Sequence, residues 1–424
     1  MSQWGAKALD RGSKADVLER AGQHLSSGKR EFYRSVGLEL VMGERQGVYF
    51  KDLDGRELFN AHCNGGVFNL GHRHPRIVAA LVEAAQHLDL GNHHLLSATR
   101  SLLAERLCRS APGDLAFAVF ASGGGEAVDF AIKLARAHTR RPGIISAIGG
   151  YHGHTGLALA TGDAQYKDPF EPLAPGFSQV PFDDLAALEA AITDETAAVI
   201  LETVPATLGM PIAQPDYFRE VRRLCDARGA QLIIDEVQTG LGRTGRMWGI
   251  DHYGVVPDLL LTAKGLGGGM YPIAATLYRP HLDAFMRQNP FIHISTGGGA
   301  ELGCAVALEV LEVTEEPGFL ETVRERAVQL QEGLTRLREE HSRIFVEVRQ
   351  LGLMVGLAMS HPSFGPLLCR IAPEVGLFCV YANNDQRVLQ FLIPLISTPS
   401  EVQEALGRLG MALSQLERLQ GGRA

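Results

Sequence analysis

The stretch QLIIDEVQTGLGRTGRMWGIDHYGVVPDLLLTAKGLGGG, residues 231–269, decides the reading of this chain. It contains two short apolar runs, 231–235 and 258–262. Both are continuous rather than alternating, as strands buried on two faces are. The first ends in an acid, Asp235. The second is followed by Lys264 and then by three glycines, 267–269. A carboxylate at a strand end needs a partner, because burying an unpaired charge is costly. That partner is either a local backbone turn or a protonated ring nitrogen. Lys264 is odd as a structural residue, since flexible glycines offer its ammonium little to pack on.

Working outward, similar runs recur at 117–121, 143–148, 198–202 and 272–277. Amphipathic helices separate them, among them 126–139 and 216–228. This alternation predicts an α/β fold with a mostly parallel sheet sandwiched by helices. It ends at TEEPG, 314–318, so the large domain is expected over 62–314. Upstream, GVYFKDLDGRELFN at 47–60 reads as two strands around an Asp54-Gly55 turn. Before it, Val17, Leu18, Ala21 and Leu25 keep a helical cadence. Downstream, Leu320, Val323, Ala327, Leu330, Leu334 and Leu337 recur every three or four residues, which predicts a helix. Strands near 344–348, 355–359 and 387–392 and a helix over 399–418 follow. The two ends, 1–61 and 315–424, are expected to build one small α+β domain.

Composition narrows the function. The 424 residues carry 40 basic and 48 acidic side chains, a net charge of −8. That argues against a nucleic-acid binder, which shows a basic face. An apolar share of 46 % excludes a disordered chain. No run approaches the roughly 18 apolar residues of a membrane span. The start, MSQWGAKALDRGSKAD, has no apolar core like that of a secretory signal. Six cysteines without metal or disulfide spacing read as reduced core thiols. The expectation is a cytoplasmic protein. His152 and His154 form H-x-H, but no third ligand is suggested and no metal is expected.

Glycine clusters at 123–125, 149–150, 267–269 and 297–299 flank predicted strand ends. Open α/β sheets bind ligands beyond the carboxyl ends of their strands. Several glycine turns there suggest a phosphorylated ligand held by backbone N–H groups. GLGRTG at 240–245 matches the dinucleotide fingerprint, which keeps a nucleotide-dependent oxidoreductase as an alternative. It fits poorly, because 236–239 separate it from its strand and no helical period follows. A lysine amine between phosphate-cradling turns, facing a strand-end carboxylate, instead suggests a Schiff base with pyridoxal 5'-phosphate.

At these residues the chain resembles the class-III aminotransferases, fold-type-I enzymes that use pyridoxal phosphate. The resemblance extends to GVFNLGHRHP (66–75), SGGGEAVDFAIKLAR (122–136), YHGHT (151–155) and HISTGGGAELGCAVAL (293–308), in the family's order. It implies an enzyme moving an amino group between an amine or amino acid and an oxo acid. Lys264 would form the Schiff base and carry the proton. Asp235 would pair with the ring nitrogen, and Gln238 would bond the phenolic oxygen. Val237 and Tyr151 would cover the two ring faces, while Gly124 and Gly125 would hold the phosphate. Thr296 resembles a threonine that reaches the phosphate of a neighbouring subunit, which implies a homodimer with shared sites. Glu202 matches a glutamate near the cofactor and equally suits a structural acid bonded to nearby backbone. YHGHT also looks like the aminomutase branch. An aminomutase, racemase or decarboxylase on the same scaffold is therefore the alternative outcome.

Departures from the family bear on the substrate. Members that use 2-oxoglutarate commonly carry an arginine where this chain has His154. A glutamate is common at Thr207, and its arginine partner stands at Gln390. Acid and base are lost together, which leaves a neutral site. Ser122 and Gly123 replace Asn and Ser of the phosphate loop, removing one hydroxyl ligand.

Overall fold

A computed structural model describes residues 12–421; residues 1–11 and 422–424, with the sequence readings that fall on them, lie outside the described residues. After the helices Lys14–His24 and Ser27–Ser35 come three strands, β1 (Met42–Gln46), β2 (Tyr49–Asp52) and β3 (Glu57–Asn60). The central strands are β4 (Phe117–Ala121), β5 (Gly143–Ala147), β6 (Phe177–Val180), β7 (Thr196–Glu202), β8 (Gln231–Asp235), β9 (Leu259–Thr262) and β10 (Ala274–Tyr278). They form one seven-stranded sheet in the order β4-β10-β9-β8-β7-β5-β6.

Each central strand feeds two cores, because successive side chains point to opposite faces. Leu232 and Ile234 of β8 join Val199 and Leu201 of β7 in one buried cluster. Ile233, Ala198 and Ile200 join the other. The helix Gly124–Thr139 covers the second face with Val128, Ile132 and Ala135. The helices Tyr217–Arg228 and Glu301–Thr314 supply Val221, Leu224, Ala307 and Leu311 to the first.

Two details differ from the sequence reading. The run 272–277 holds β10, which is antiparallel to both β4 and β9. Its burial on both faces gives the same apolar signature as a parallel strand, so direction is not legible there. β6 was not expected at all. It is an edge strand, pairing only with β5, and its residues are mostly part-buried, so FSQV lacks a continuous apolar run.

The remaining strands are β11 (Phe345–Leu351), β12 (Met354–Met359), β13 (Leu377–Phe378), β14 (Val380–Ala382) and β15 (Asp385–Gln390). β13 pairs in parallel with β3, matching Leu377 with Phe59. The other four form the sheet β11-β12-β15-β14. The patterned helix Phe319–Glu340 buries Val323, Ala327, Leu330 and Leu334. Those residues share one apolar cluster with Val48 and Phe59 from the front of the chain and Leu409 from its last helix. All six cysteines are unpaired.

Candidate active site

β7 and β8 run side by side, and their register sets Glu202 directly opposite Asp235 at the carboxyl ends. Both acids are buried and face one cavity of about 430 Å³. Its wall includes Ser122, Gly124, Tyr151, Gln238, Lys264 and Tyr271. Asp235 has the local-turn partner its position called for, and a second partner from the protein itself. Oδ1 accepts the Val237 N–H at 3.0 Å, a local turn, and Oδ2 lies 2.8 Å from Nδ1 of His152.

His152 has no place in the sequence reading beyond an H-x-H pair with His154 that suggests no metal site. Here it is buried against Asp235 while His154 lies exposed, its ring edge-on to Tyr151 at 5.1 Å. Burial by itself would lower the His152 pKa. The hydrogen bond and charge of Asp235, with the charge of Glu202, outweigh it and raise it. The clue in the sequence was the second strand-end acid, which leaves two carboxyls to be satisfied by one neighbouring loop. Among the described residues no three His, Cys, Asp or Glu side chains are grouped as a metal site.

Glu202 has the backbone bond expected of a structural acid and also lines the cavity: Oε2 accepts the Tyr151 N–H at 2.9 Å. Burial, reinforced by the charge of Asp235, pushes its carboxyl up to about 7. Lys264 is held below its ordinary pKa by burial, against the opposing pull of Asp235 and Glu202. Its Nζ donates to Gln238 Oε1 at 3.1 Å, and its backbone sits at φ +43°.

These residues fit pyridoxal phosphate on three counts. The helix Gly124–Thr139 starts at Gly123 with no side-chain cap, so its first N–H groups are free for an anion. A β-carbon on Gly153 would fall 2.8 Å from the Gly125 Cα, so the glycines allow a close backbone approach beside that end. Among the described residues the buried Nε2 atoms of Gln238 and His152, both in the cavity wall, have no hydrogen-bond partner, which leaves them polar capacity for a ligand.

Of the remaining expected site residues, Gly125 and Val237 line the cavity. Thr296, His154, Thr207 and Gln390 do not. Thr296 is exposed on the loop before Glu301–Thr314. The Thr207 hydroxyl donates to the Gly149 carbonyl at 2.8 Å. Gln390 is buried in β15, paired with Gly356 and Val380.

GLGRTG is no nucleotide loop. It folds into turns with no helix opening behind it. Its Arg243 is fully buried and donates to the carbonyls of Leu353 and Ile393 and to Asn69 Oδ1. The glycines let an arginine clasp pass between the central sheet and the C-terminal strands. Glu236, next to Asp235, is a similar organiser. It accepts from Thr203, Thr239 and the N–H groups of Gly249 and Ile250.

Known proteins resemble the chain over most of its length. Residues 33–413 match the family described as aminotransferase class-III. An uncharacterized aminotransferase of Archaeoglobus fulgidus is 56 % identical over 404 residues, 95 % of each chain. An acetylornithine aminotransferase of Gloeobacter violaceus is 38 % identical, over 89 % of this chain and 94 % of its own. Among solved structures, the ornithine aminotransferase of Toxoplasma gondii superposes with a TM-score of 0.84 at 26 % identity, covering 94 % of this chain and 98 % of that one.

Proposed function

The chain belongs to the class-III aminotransferases, and from that premise we propose how its own residues carry out the transfer. The fold is that of fold-type-I enzymes, the cofactor is pyridoxal phosphate, and the reaction moves an amino group between an amino compound and an oxo acid. The cofactor, when bound, supplies an aldehyde to hold the amino group and a ring that accepts electrons from the reacting carbon. Lys264 would hold the cofactor through its amine, and the same amine would move a proton at the substrate carbon. Burial favours its neutral form, the form that can act as nucleophile and base. Asp235 pairs with the ring nitrogen and keeps its proton in place, and Gln238 orients the phenolic oxygen. Val237 and Tyr151 flank the ring. Gly124 and Gly125 hold the phosphate at the helix start.

The observation that carries this reading is that Lys264, Asp235 and the uncapped helix start line a single cavity. Borohydride reduction of the yellow protein, followed by peptide mapping, tests it. A pyridoxyl group on Lys264 is expected, and one on a different lysine would overturn the assignment.

We further propose a homodimer in which Thr296 serves the partner's phosphate. Leu95, Leu96, Phe291 and Ile292 stand exposed on two loops that meet where the His94 and Phe291 rings lie 5.8 Å apart. Such a patch beside Thr296 suits a second copy of the chain. Sedimentation of a Leu96→Glu, Phe291→Glu variant tests it, since a parent that sediments as a monomer contradicts the shared site. The division into 1–61 with 315–424 against 62–314 is part of the same proposal, supported by the joint apolar cluster of the two ends. A reducing cytoplasm suits the six unpaired thiols.

A further inference from the structure

The loop that carries Tyr151 is tied down from the far end of the chain. Gly149 follows β5 at φ +77°, and a β-carbon there would fall 2.6 Å from Leu208 Cδ1. Its carbonyl accepts two side-chain donors, Thr207 Oγ1 at 2.8 Å and Asn384 Nδ2 at 2.9 Å. Its N–H donates to Asp163 Oδ1 at 2.9 Å. Two residues on, the Tyr151 N–H is held by Glu202.

Asn384 sits in the turn between β14 and β15, more than two hundred residues away in sequence. Every polar group of its side chain is used. Oδ1 accepts from Tyr166 OH at 3.0 Å and from Gln165 Nε2 at 3.1 Å, while Nδ2 faces the Gly149 carbonyl. Its backbone N–H donates to the Thr207 carbonyl at 2.9 Å. Two donors on one side and a carbonyl on the other admit one orientation of the amide. The Tyr166 ring is in turn 6.0 Å from His154, which stands edge-on to Tyr151.

We propose that Asn384, acting with Thr207 through the Gly149 carbonyl, is a positioning residue for Tyr151. It makes the ring that covers the cofactor answer to the placement of the C-terminal sheet. This rests on the reading that Tyr151 packs on the bound cofactor. A hydrogen-bonded clamp fixes a loop tightly because leaving either side unpaired costs more than the bond itself contributes. Asn384→Asp keeps the shape and the acceptor for Tyr166, but turns a donor into an oxygen facing the Gly149 oxygen.

The test uses the full chain loaded with pyridoxal phosphate. Asn384→Asp should raise the cofactor Kd about three- to tenfold, the loss of one or two hydrogen bonds. It should also alter the visible circular dichroism of the bound cofactor and raise KM while leaving kcat within about twofold. Thr207→Val, which removes the second donor with little change of shape, should shift all three in the same direction by less. It decides the matter alone if Asn384→Asp does not fold. Parent-like Kd, dichroism and KM in both variants, with only a lower Tm, would overturn the clamp. A parent that takes up no pyridoxal phosphate would instead sink the reading of the cavity itself.

Discussion

His152 Nδ1 lies 2.8 Å from Asp235 Oδ2, with both side chains buried at the carboxyl end of the central sheet. Both side chains line the same cavity, and the charge of Asp235 favours the protonated form of His152. Asp235→Asn would break this arrangement twice. The amide cannot hold the proton on a ring nitrogen, and its NH2 group turns toward a histidine that also donates. The chemical step should slow by at least about a hundredfold, with a much smaller change in KM. Steady-state kinetics give the split. An unchanged kcat with only a raised KM would make Asp235 a positioning residue.

On the proposed function, Lys264→Ala removes nucleophile and proton carrier together. The protein should fold, and the helix start should still hold the phosphate. Turnover should fall by several orders of magnitude. Measured activity within tenfold of the parent would take Lys264 out of the mechanism.

Glu202 makes stability depend on pH. Burial raises its folded pKa to about 7, above the ordinary 4.5. Between those values the folded state binds more protons than the unfolded one, so its contribution is fully present below about 4.5 and is lost as pH rises through 7. The loss approaches about 3 kcal/mol. His62, pushed down to about 4 by burial, works in the opposite direction, so the comparison must be between parent and Glu202→Gln. In the cofactor-free protein the variant should gain stability relative to the parent as pH rises from 4.5 to 7. Parallel denaturation midpoints across that range would refute a titrating Glu202.

Arg243 is a clasp whose removal leaves the carbonyls of Leu353 and Ile393 and the Asn69 oxygen unpaired in the interior. Arg243→Met should therefore cost about 3–5 kcal/mol. Arg243→Lys, which keeps the charge but not the fork, should recover only part of it. Urea midpoints at one fixed protein concentration measure both. A loss below about 1 kcal/mol for the methionine variant would show that the site repacks without the fork.

The residues that were legible in the sequence are those whose chemistry is out of place locally. Asp235 ends an apolar strand and Lys264 precedes bare glycines, so each stands out from its neighbours before any partner is known. The central strands β7, β8 and β9 were legible for a related reason, since burial on two faces demands an unbroken apolar run. His152, Arg243 and Asn384 were not. Each works through partners from distant parts of the chain, His152 and Asp235 standing 83 positions apart and Gly149 and Asn384 235. Arg243 was hidden further by its setting, because a glycine-flanked arginine in a turn reads as a phosphate loop until its carbonyl partners are known.

The last prediction concerns the oxo acid. A dicarboxylate needs two cationic or strongly donating anchors, and a bidentate arginine is the usual one. No arginine of this chain lines the cavity among the described residues. His154 is exposed beside Tyr151, the Thr207 hydroxyl is spent on the Gly149 carbonyl, and Gln390 lies buried in β15. An imidazole or amide donates a hydrogen bond but forms no guanidinium–carboxylate fork. Losing the fork should weaken carboxylate binding by about 2–4 kcal/mol, or roughly 30- to 1000-fold. We therefore expect 2-oxoglutarate to be a poor acceptor beside a small oxo acid such as pyruvate. An arginine supplied from elsewhere, such as the exposed Arg34, would reverse the order. Steady-state kinetics with both oxo acids distinguish the two cases. A kcat/KM for 2-oxoglutarate equal to or above that for pyruvate defeats the argument from the neutral site, and its loss in Arg34→Ala would then locate the relocated anchor.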